Sequence, residues 1–165
     1  WKIKSGEIIP YTESADKLPA ISKYYDYDEG APGKSAQSNG ITCIYRYAEV
    51  LLMYAEASTR ATNSVNQDAL NAIQEVQKRA GYQDRQIELT TTTEPTAFLA
   101  AVSNERGWEF FAEMKRWFEL VRLEKVKEVR AEEWDASTFN TNHHYYFPVP
   151  YQQVDLAGWT NNAGY

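Results

Sequence analysis

The chain has 165 residues, 43% of them hydrophobic and 24% charged, with a formal net charge of −6. That length suits one domain or one large piece of a bigger one, and so apolar a chain is not disordered. The acidic balance argues against a nucleic-acid partner, whose phosphates need clustered Lys and Arg, and a single cysteine excludes a disulfide framework or a Cys-rich zinc site.

No apolar run reaches the ~18–20 residues of a membrane-spanning helix. Twelve tyrosines and five tryptophans stand out, because these side chains join an apolar face to a polar handle and suit an irregular fold or a wet binding surface. The first residue is Trp1, with no initiator Met and no basic leader, so the chain reads as a mature fragment or an expressed piece, and targeting information is missing rather than negative.

In chain order, residues 1–40 form an irregular, loop-rich wrapping segment. Pro10, Pro19, Pro32 and glycines at 6, 30, 33 and 40 punctuate it, and one strand-like stretch runs from Ile21 to Tyr27. Residues 41–165 make a helical domain read as one structural unit. Helical pattern begins near Ile41, with Ile44, Tyr47, Ala48, Leu51, Leu52, Ala55 and Ser58 on the packed side. Glu49, Met53, Glu56 and Arg60 are expected on the other side. Asn66 is a helix N-cap, Ala69, Leu70, Ile73, Val76 and Ala80 repeat the stripe, and Gly81 ends it. The short link predicts an antiparallel hairpin of tetratricopeptide-like size, and one such hairpin needs neighbours to bury both faces.

Thr93, Glu94 and Pro95 signal the next helix start. An aromatic-rich helical pattern follows through Val121, with a break expected near Glu113–Lys115. From Arg130 the period is lost, His143 and His144 fall in a non-helical stretch, and Pro150 opens one helical turn through Val154.

Glu105, Glu109 and Glu113 are spaced four apart and share one helix face. Paired carboxylates are what a glycoside hydrolase needs, and Glu105 with Glu109 is the candidate pair. The structural alternative is that these glutamates pair with arginines such as Arg106, Arg116 and Arg122 to orient helices. His143 and His144 lack a third metal ligand nearby, Asp26 and Asp28 do not continue into a calcium loop, and no phosphate-binding glycine loop is present. No metal or cofactor is therefore expected. Cys43 reads as a small buried hydrophobe. Trp134, in a polar loop, and Tyr25 and Tyr27, alternating in the strand-like run with Tyr24, are the aromatic candidates for stacking on a ligand.

The order of segments is more specific than any one of them. Arg46-Tyr47-Ala48-Glu49-Val50-Leu51-Leu52 with Tyr54-Ala55-Glu56-Ala57, then Lys78-Arg79-Ala80-Gly81, Asn104-Glu105-Arg106 with Glu109, Arg116-Trp117-Phe118-Glu119-Leu120-Val121-Arg122, Pro148-Val149-Pro150 and Asn162-Ala163-Gly164-Tyr165 occur in the order seen in the SusD/RagB family. The chain resembles that family over residues 21–165. It departs from the pattern at Gln77, where the family has Arg, at Gly107-Trp108, where it has an Arg-rich pair, and at Met114, where it has Gly. The lost arginines imply a thinner buried ion network, and Met114 puts the helix break near Glu113 in question.

The resemblance implies a mostly α scaffold with a tetratricopeptide-like hairpin, further helices and long irregular segments. It implies a non-enzymatic binding protein for glycans or other nutrients. Such a protein is held on the outer face of the outer membrane by a lipid anchor not contained in this chain, beside a TonB-dependent SusC-like transporter. Cys43, expected inside the fold, is not that anchor. Arg46, Glu49, Glu105, Arg106, Glu109, Arg116 and Arg122 are expected to form a structural ion-pair network. The alternatives are the hydrolase above and a tetratricopeptide-like protein-interaction adaptor.

Overall fold

A computed structural model describes residues 2–4, 7–9, 11–13, 17, 21, 23, 43–129 and 141–165. The expected boundary near residue 40 and most of the strand-like stretch 21–27 lie outside the described residues. Clustering of the chain gives two compact units, Trp1–Glu113 and Met114–Tyr165.

The first unit opens on two short strands, β1 (Lys2–Lys4) and β2 (Glu7–Ile9), paired antiparallel with Ile3 opposite Ile8. They were not anticipated, because three-residue strands are too short for an alternating pattern to register. A single 3-10 turn, Tyr11–Glu13, follows. The remaining elements of this unit are helices: α1 (Tyr47–Thr62), α2 (Gln67–Arg79) and α3 (Pro95–Glu109).

Helix α1 starts six residues later than the pattern suggested. Arg46, in extended backbone, precedes it, and a guanidinium has no lone pair with which to cap a helix N–H. Asn63 ends it in the left-handed conformation that asparagine tolerates. The buried face is Glu49, Leu52, Ala55 and Thr59, at steps of three, three and four. This corrects the expected stripe: Ile44 and Tyr47 are exposed, and Glu49 is buried. The error has a physical source, since hydrophobic periodicity cannot register a carboxylate whose partner cation lies in another helix. The outer face of α1 carries exposed Tyr47, Val50 and Tyr54.

Helix α2 follows its sequence signals closely. The Asn66 side chain accepts from the Ala69 backbone N–H at 2.8 Å. Ala69, Leu70, Ile73 and Val76 are buried, and Gly81 ends the run at φ +76°, a conformation glycine adopts without a Cβ penalty. Helix α3 begins with Pro95 in its first turn, capped by the Glu94 carboxylate, which accepts from Thr96 N at 3.0 Å and Ala97 N at 2.6 Å. Those two backbone donors hold the Glu94 carboxyl below its ordinary pKa.

Helix α1 packs on both α2 and α3. The shared core is built from Leu52, Ala55, Ala69, Leu70, Ile73, Val76, Phe98 and Val102, with Phe110 closing it just past α3. Alanines at the crossings let the helices approach, while each fully buried Leu, Ile or Phe contributes about 1.5–3 kcal/mol.

The aromatic helical run does break, after Glu109. Phe110–Glu113 form turns, and Ala112 and Met114 take φ of +65° and +57°. Methionine at 114 thus adopts the conformation that glycine adopts freely, at a cost of about 1–2 kcal/mol. The second unit then comprises α4 (Arg116–Arg122), α5 (Val126–Val129), α6 (Thr141–His144) and α7 (Tyr151–Ala157). Leu120 and Val126 form its small core, with Trp117, Val121 and Tyr145 against them.

Two expectations for this unit are corrected. The histidines lie in the short helix α6, their rings stacked with centroids 4.7 Å apart, rather than diverging in a loop. Helix α7 runs to Ala157, three residues past Val154, because Gly158 at φ +68° supplies the stop. The last residues fold back on this region. Asn162 Nδ2 donates to the Phe147 carbonyl at 2.6 Å, Asn161 Oδ1 accepts from Val149 N at 2.8 Å, and the Tyr165 hydroxyl donates to the Tyr146 carbonyl at 3.0 Å. Gly164, at φ +95°, passes so close to His143 that a Cβ there would sit 2.7 Å from Nδ1.

Candidate functional site

The C-terminal end of α3 gathers charge from three distant parts of the first unit. Arg46 reaches it from the residue before α1. Its Nη1 donates to Glu109 Oε1 at 2.5 Å, Nη2 to the Glu109 carbonyl at 2.7 Å and to Glu113 Oε1 at 2.9 Å, and Nε to Glu113 Oε2 at 3.1 Å. The guanidinium lies over the Phe110 ring, 4.6 Å from its centroid. Arg79, at the end of α2, also donates to Glu109 Oε1. Lys23 donates to the carbonyls of Glu109 at 2.9 Å and Phe111 at 3.1 Å, and to Glu113 Oε1 at 2.6 Å.

The placement has a local reason. The last carbonyls of a helix lack intrahelical donors and carry the negative end of its dipole, so cations settle there. Burial pushes the Glu113 carboxyl up, but hydrogen bonds and charge from Arg46 and Lys23 outweigh it and hold the pKa below the usual carboxylate value. For Arg46, burial disfavours the charged form, yet Glu113 and Glu109 raise its pKa above that of a free arginine.

One turn earlier, Glu105 is only 1% exposed and belongs to a different set of partners. Its Oε2 accepts from the Tyr82 hydroxyl at 2.7 Å and from Gln77 Nε2 at 3.1 Å. Burial, then the hydrogen bond to this carboxylate, pushes the Tyr82 phenol well above its usual pKa. Gln77 also ties down the 80s loop, donating to Thr90 Oγ1 at 2.9 Å and accepting from Thr90 N at 2.9 Å. The neutral Gln thus satisfies the carboxylate through hydrogen bonds where the family pattern has a cation. Arg106 Nη2 lies 3.8 Å from Glu49 Oε1, linking α3 to α1.

The partners therefore differ from those expected for the three glutamates. Among the described residues of the first unit, Glu109 and Glu113 meet Arg46, Arg79 and Lys23. In the second unit Arg116 pairs with Glu119, three residues on, at 3.4 Å, and Arg122 is exposed in the last turn of α4. Arginines near in sequence were the natural partners to expect, whereas the helix hairpin brings more distant ones together.

The charge cluster forms the wall of a cavity of about 420 Å³. Cys43 and Trp108 complete its lining. Cys43 is exposed, which corrects both the buried reading and the argument that it lies inside the fold. Trp108 is 64% exposed. Sequence reasoning missed it as a site residue, although the departure from the family pattern at Gly107-Trp108 was the available signal. Trp134, Tyr25 and Tyr27 lie outside the described residues. Among the described residues no cluster of three or more His, Cys, Asp or Glu could hold a metal, and no helix is long and apolar enough to cross a membrane.

Comparison with known proteins adds the decisive observation: the family model described as the SusD family matches residues 1–165, the whole chain. The chain belongs to the SusD family. It is 29% identical to SusD-like protein P2 of Formosa agariphila over 98% of this chain and 34% of that protein. It is 27% identical to SusD-like protein P25 of the same organism, over 84% of this chain and 26% of that protein. Among solved structures, a SusD homolog from Bacteroides thetaiotaomicron aligns with a TM-score of 0.63 at 29% identity, covering 74% of this chain and 26% of that one. A SusD superfamily protein from Parabacteroides distasonis aligns with a TM-score of 0.67 at 28% identity, covering 81% and 29%. The chain thus spans about a third or less of the length of these relatives. The mostly helical, tetratricopeptide-like character expected from the sequence is the fold that the SusD family comparison shows.

Proposed function

We propose that this chain is the carboxy-terminal part of a nutrient-binding protein, most plainly a glycan-binding one, that sits on the outer face of the outer membrane. In this reading a lipid anchor outside the chain holds it there, and it passes its ligand to a TonB-dependent SusC-like transporter. The observation that carries the reading is the family match along all 165 residues. Sugar capture of this kind needs aromatic faces for stacking and polar groups for the hydroxyls, with no reactive side chain. Trp134, Tyr25 and Tyr27 are the proposed stacking residues.

The hydrolase alternative finds little support in the geometry. A glycosidase needs two carboxyl groups that reach opposite sides of a sugar ring. Glu105 is buried against Gln77 and Tyr82, and Glu109 is held by Arg46 and Arg79. Both carboxylates are held in place by partners of the scaffold. We therefore propose binding without turnover.

A glycan array probed with the intact protein, followed by copurification from outer membranes, tests the proposal. A bound glycan and a copurifying transporter are the expected results. Hydrolysis of the bound glycan that Glu105→Gln abolishes would replace this reading with the enzymatic one.

A further inference from the structure

The cavity at the end of α3 has a charge balance opposite to that of the chain. Its described lining residues include three cations, Lys23, Arg46 and Arg79, and two carboxylates, Glu109 and Glu113, leaving one positive charge in a protein of net charge −6. That surplus sits on one residue. Lys23 uses its three donors on Glu109 O, Phe111 O and Glu113 Oε1, and Arg46 makes four hydrogen bonds to the two glutamates. Arg79 makes one bond, to Glu109, and its side chain is 65% exposed. The rest of its guanidinium fork has no protein partner among the described residues.

Trp108 lines the same cavity, and its large exposed indole is costly to leave in water unless something covers it. A volume of about 420 Å³ is within the range of small-molecule sites. An aromatic side chain and a guanidinium with spare donors on one cavity suit a ring that carries an oxyanion. The indole takes the apolar face of a pyranose, and the fork takes two oxygens of a carboxylate or sulfate in parallel hydrogen bonds. A cationic ligand would meet the surplus positive charge, and a neutral sugar would leave the fork unpaired.

We infer that this cavity is a binding subsite for an acidic sugar residue, a uronate or a sulfate ester, with Trp108 as its stacking platform and Arg79 as its anion donor. The inference rests on the nutrient-binding reading and adds the class of ligand. Cys43, on the same cavity, supplies an internal reporter, because a ligand seated there shields its thiol from alkylation.

The test is calorimetry of the intact protein with tetragalacturonate, a sulfated carrageenan tetrasaccharide and neutral cellotetraose, alongside site-resolved iodoacetamide labelling of Cys43. At least one acidic probe should bind, quench indole fluorescence and slow Cys43 labelling, with affinity that falls as salt rises. Arg79→Gln should weaken that binding roughly tenfold or more, the loss of a charge-assisted pair of hydrogen bonds, and erase the preference over cellotetraose. Trp108→Ala should weaken it by a similar factor, with Trp108→Phe retaining most of it. Circular dichroism confirms that each variant folds, and the labelling experiment on the unaltered protein stands without any variant. Equal binding of cellotetraose, acidic binding that survives both substitutions, or bound probe that leaves Cys43 labelling unchanged would overturn the subsite. If only neutral glycans bind the intact protein, the subsite fails and the nutrient-binding reading stands. If no glycan binds at all, both fail.

Discussion

Arg46 and Glu113, 67 positions apart in sequence, are joined by two parallel hydrogen bonds, Nε to Oε2 at 3.1 Å and Nη2 to Oε1 at 2.9 Å. The pair fastens the start of α1 to the turn after α3. It does so with the planar fork geometry that makes an arginine–carboxylate contact more directional than a lysine one.

Removing the charge from one side should therefore be felt in stability. Glu113→Gln keeps the shape but leaves Arg46 and Lys23 facing an amide. A loss of about 1.5–3 kcal/mol is expected, the range for hydrogen bonds to charged groups. Urea unfolding followed by circular dichroism measures it. A change within about 0.5 kcal/mol, the ordinary range for surface substitutions, would mean that solvent replaces the pair at no cost.

The same carboxyl predicts a pH dependence. Its pKa is lowered in the folded state, so on acidification the unfolded chain takes up this proton first. The contribution to stability is complete above the unfolded value of about 4.3 and is lost as pH falls through the folded value. The stability gap between the unaltered chain and Glu113→Gln should accordingly be full at pH 7 and shrink below about pH 4. Urea midpoints of both chains across that range provide the check, and a gap that widens in acid would contradict the sign.

Gln77 should matter beyond its own helix. It satisfies Glu105 and holds both the backbone N–H and the side chain of Thr90. Gln77→Ala leaves a buried carboxylate with one fewer donor and removes two hydrogen bonds at Thr90, leaving the one from Gln74 Nε2 to the Thr90 carbonyl, at an expected cost of about 1–3 kcal/mol. Hydrogen exchange should quicken at Thr90 while the Asn66-capped start of α2 keeps its protection. Unchanged exchange at Thr90 would show that the loop is held by other contacts.

Met114→Gly should stabilise the protein. The residue sits at φ +57° and its side chain is 85% exposed, so little packing is lost. Relief of the left-handed strain, about 1–2 kcal/mol, exceeds the extra entropy of glycine in the unfolded chain, about 0.5–1 kcal/mol. For a chain of this size a thermal midpoint raised by about 1–3 °C is expected. A lowered midpoint would show that the methionine side chain contributes packing that its exposure hides.

The sequence by itself determined the features whose physics acts over a few residues. The Asn66 cap, the α2 stripe, the Gly81 stop and the Pro95 start all depend on neighbours within one or two turns. The ordered motifs that resemble the SusD/RagB family are legible for the same reason, since each is a short string of residues. Only the tertiary structure decided which glutamate meets which cation. Arg46 lies 63 positions from Glu109, Lys23 lies 90 from Glu113, and Gln77 lies 28 from Glu105. Periodicity placed Glu49 outside and Ile44 inside, because it weighs each side chain alone. Burying a carboxylate depends on an arginine from another helix, and exposing an isoleucine depends on where the helix begins. The cavity that joins Trp108 to Arg79 and Cys43 is likewise absent from any local pattern. It exists because three separated segments converge on the carbonyl end of α3, where the helix dipole and two carboxylates draw cations together.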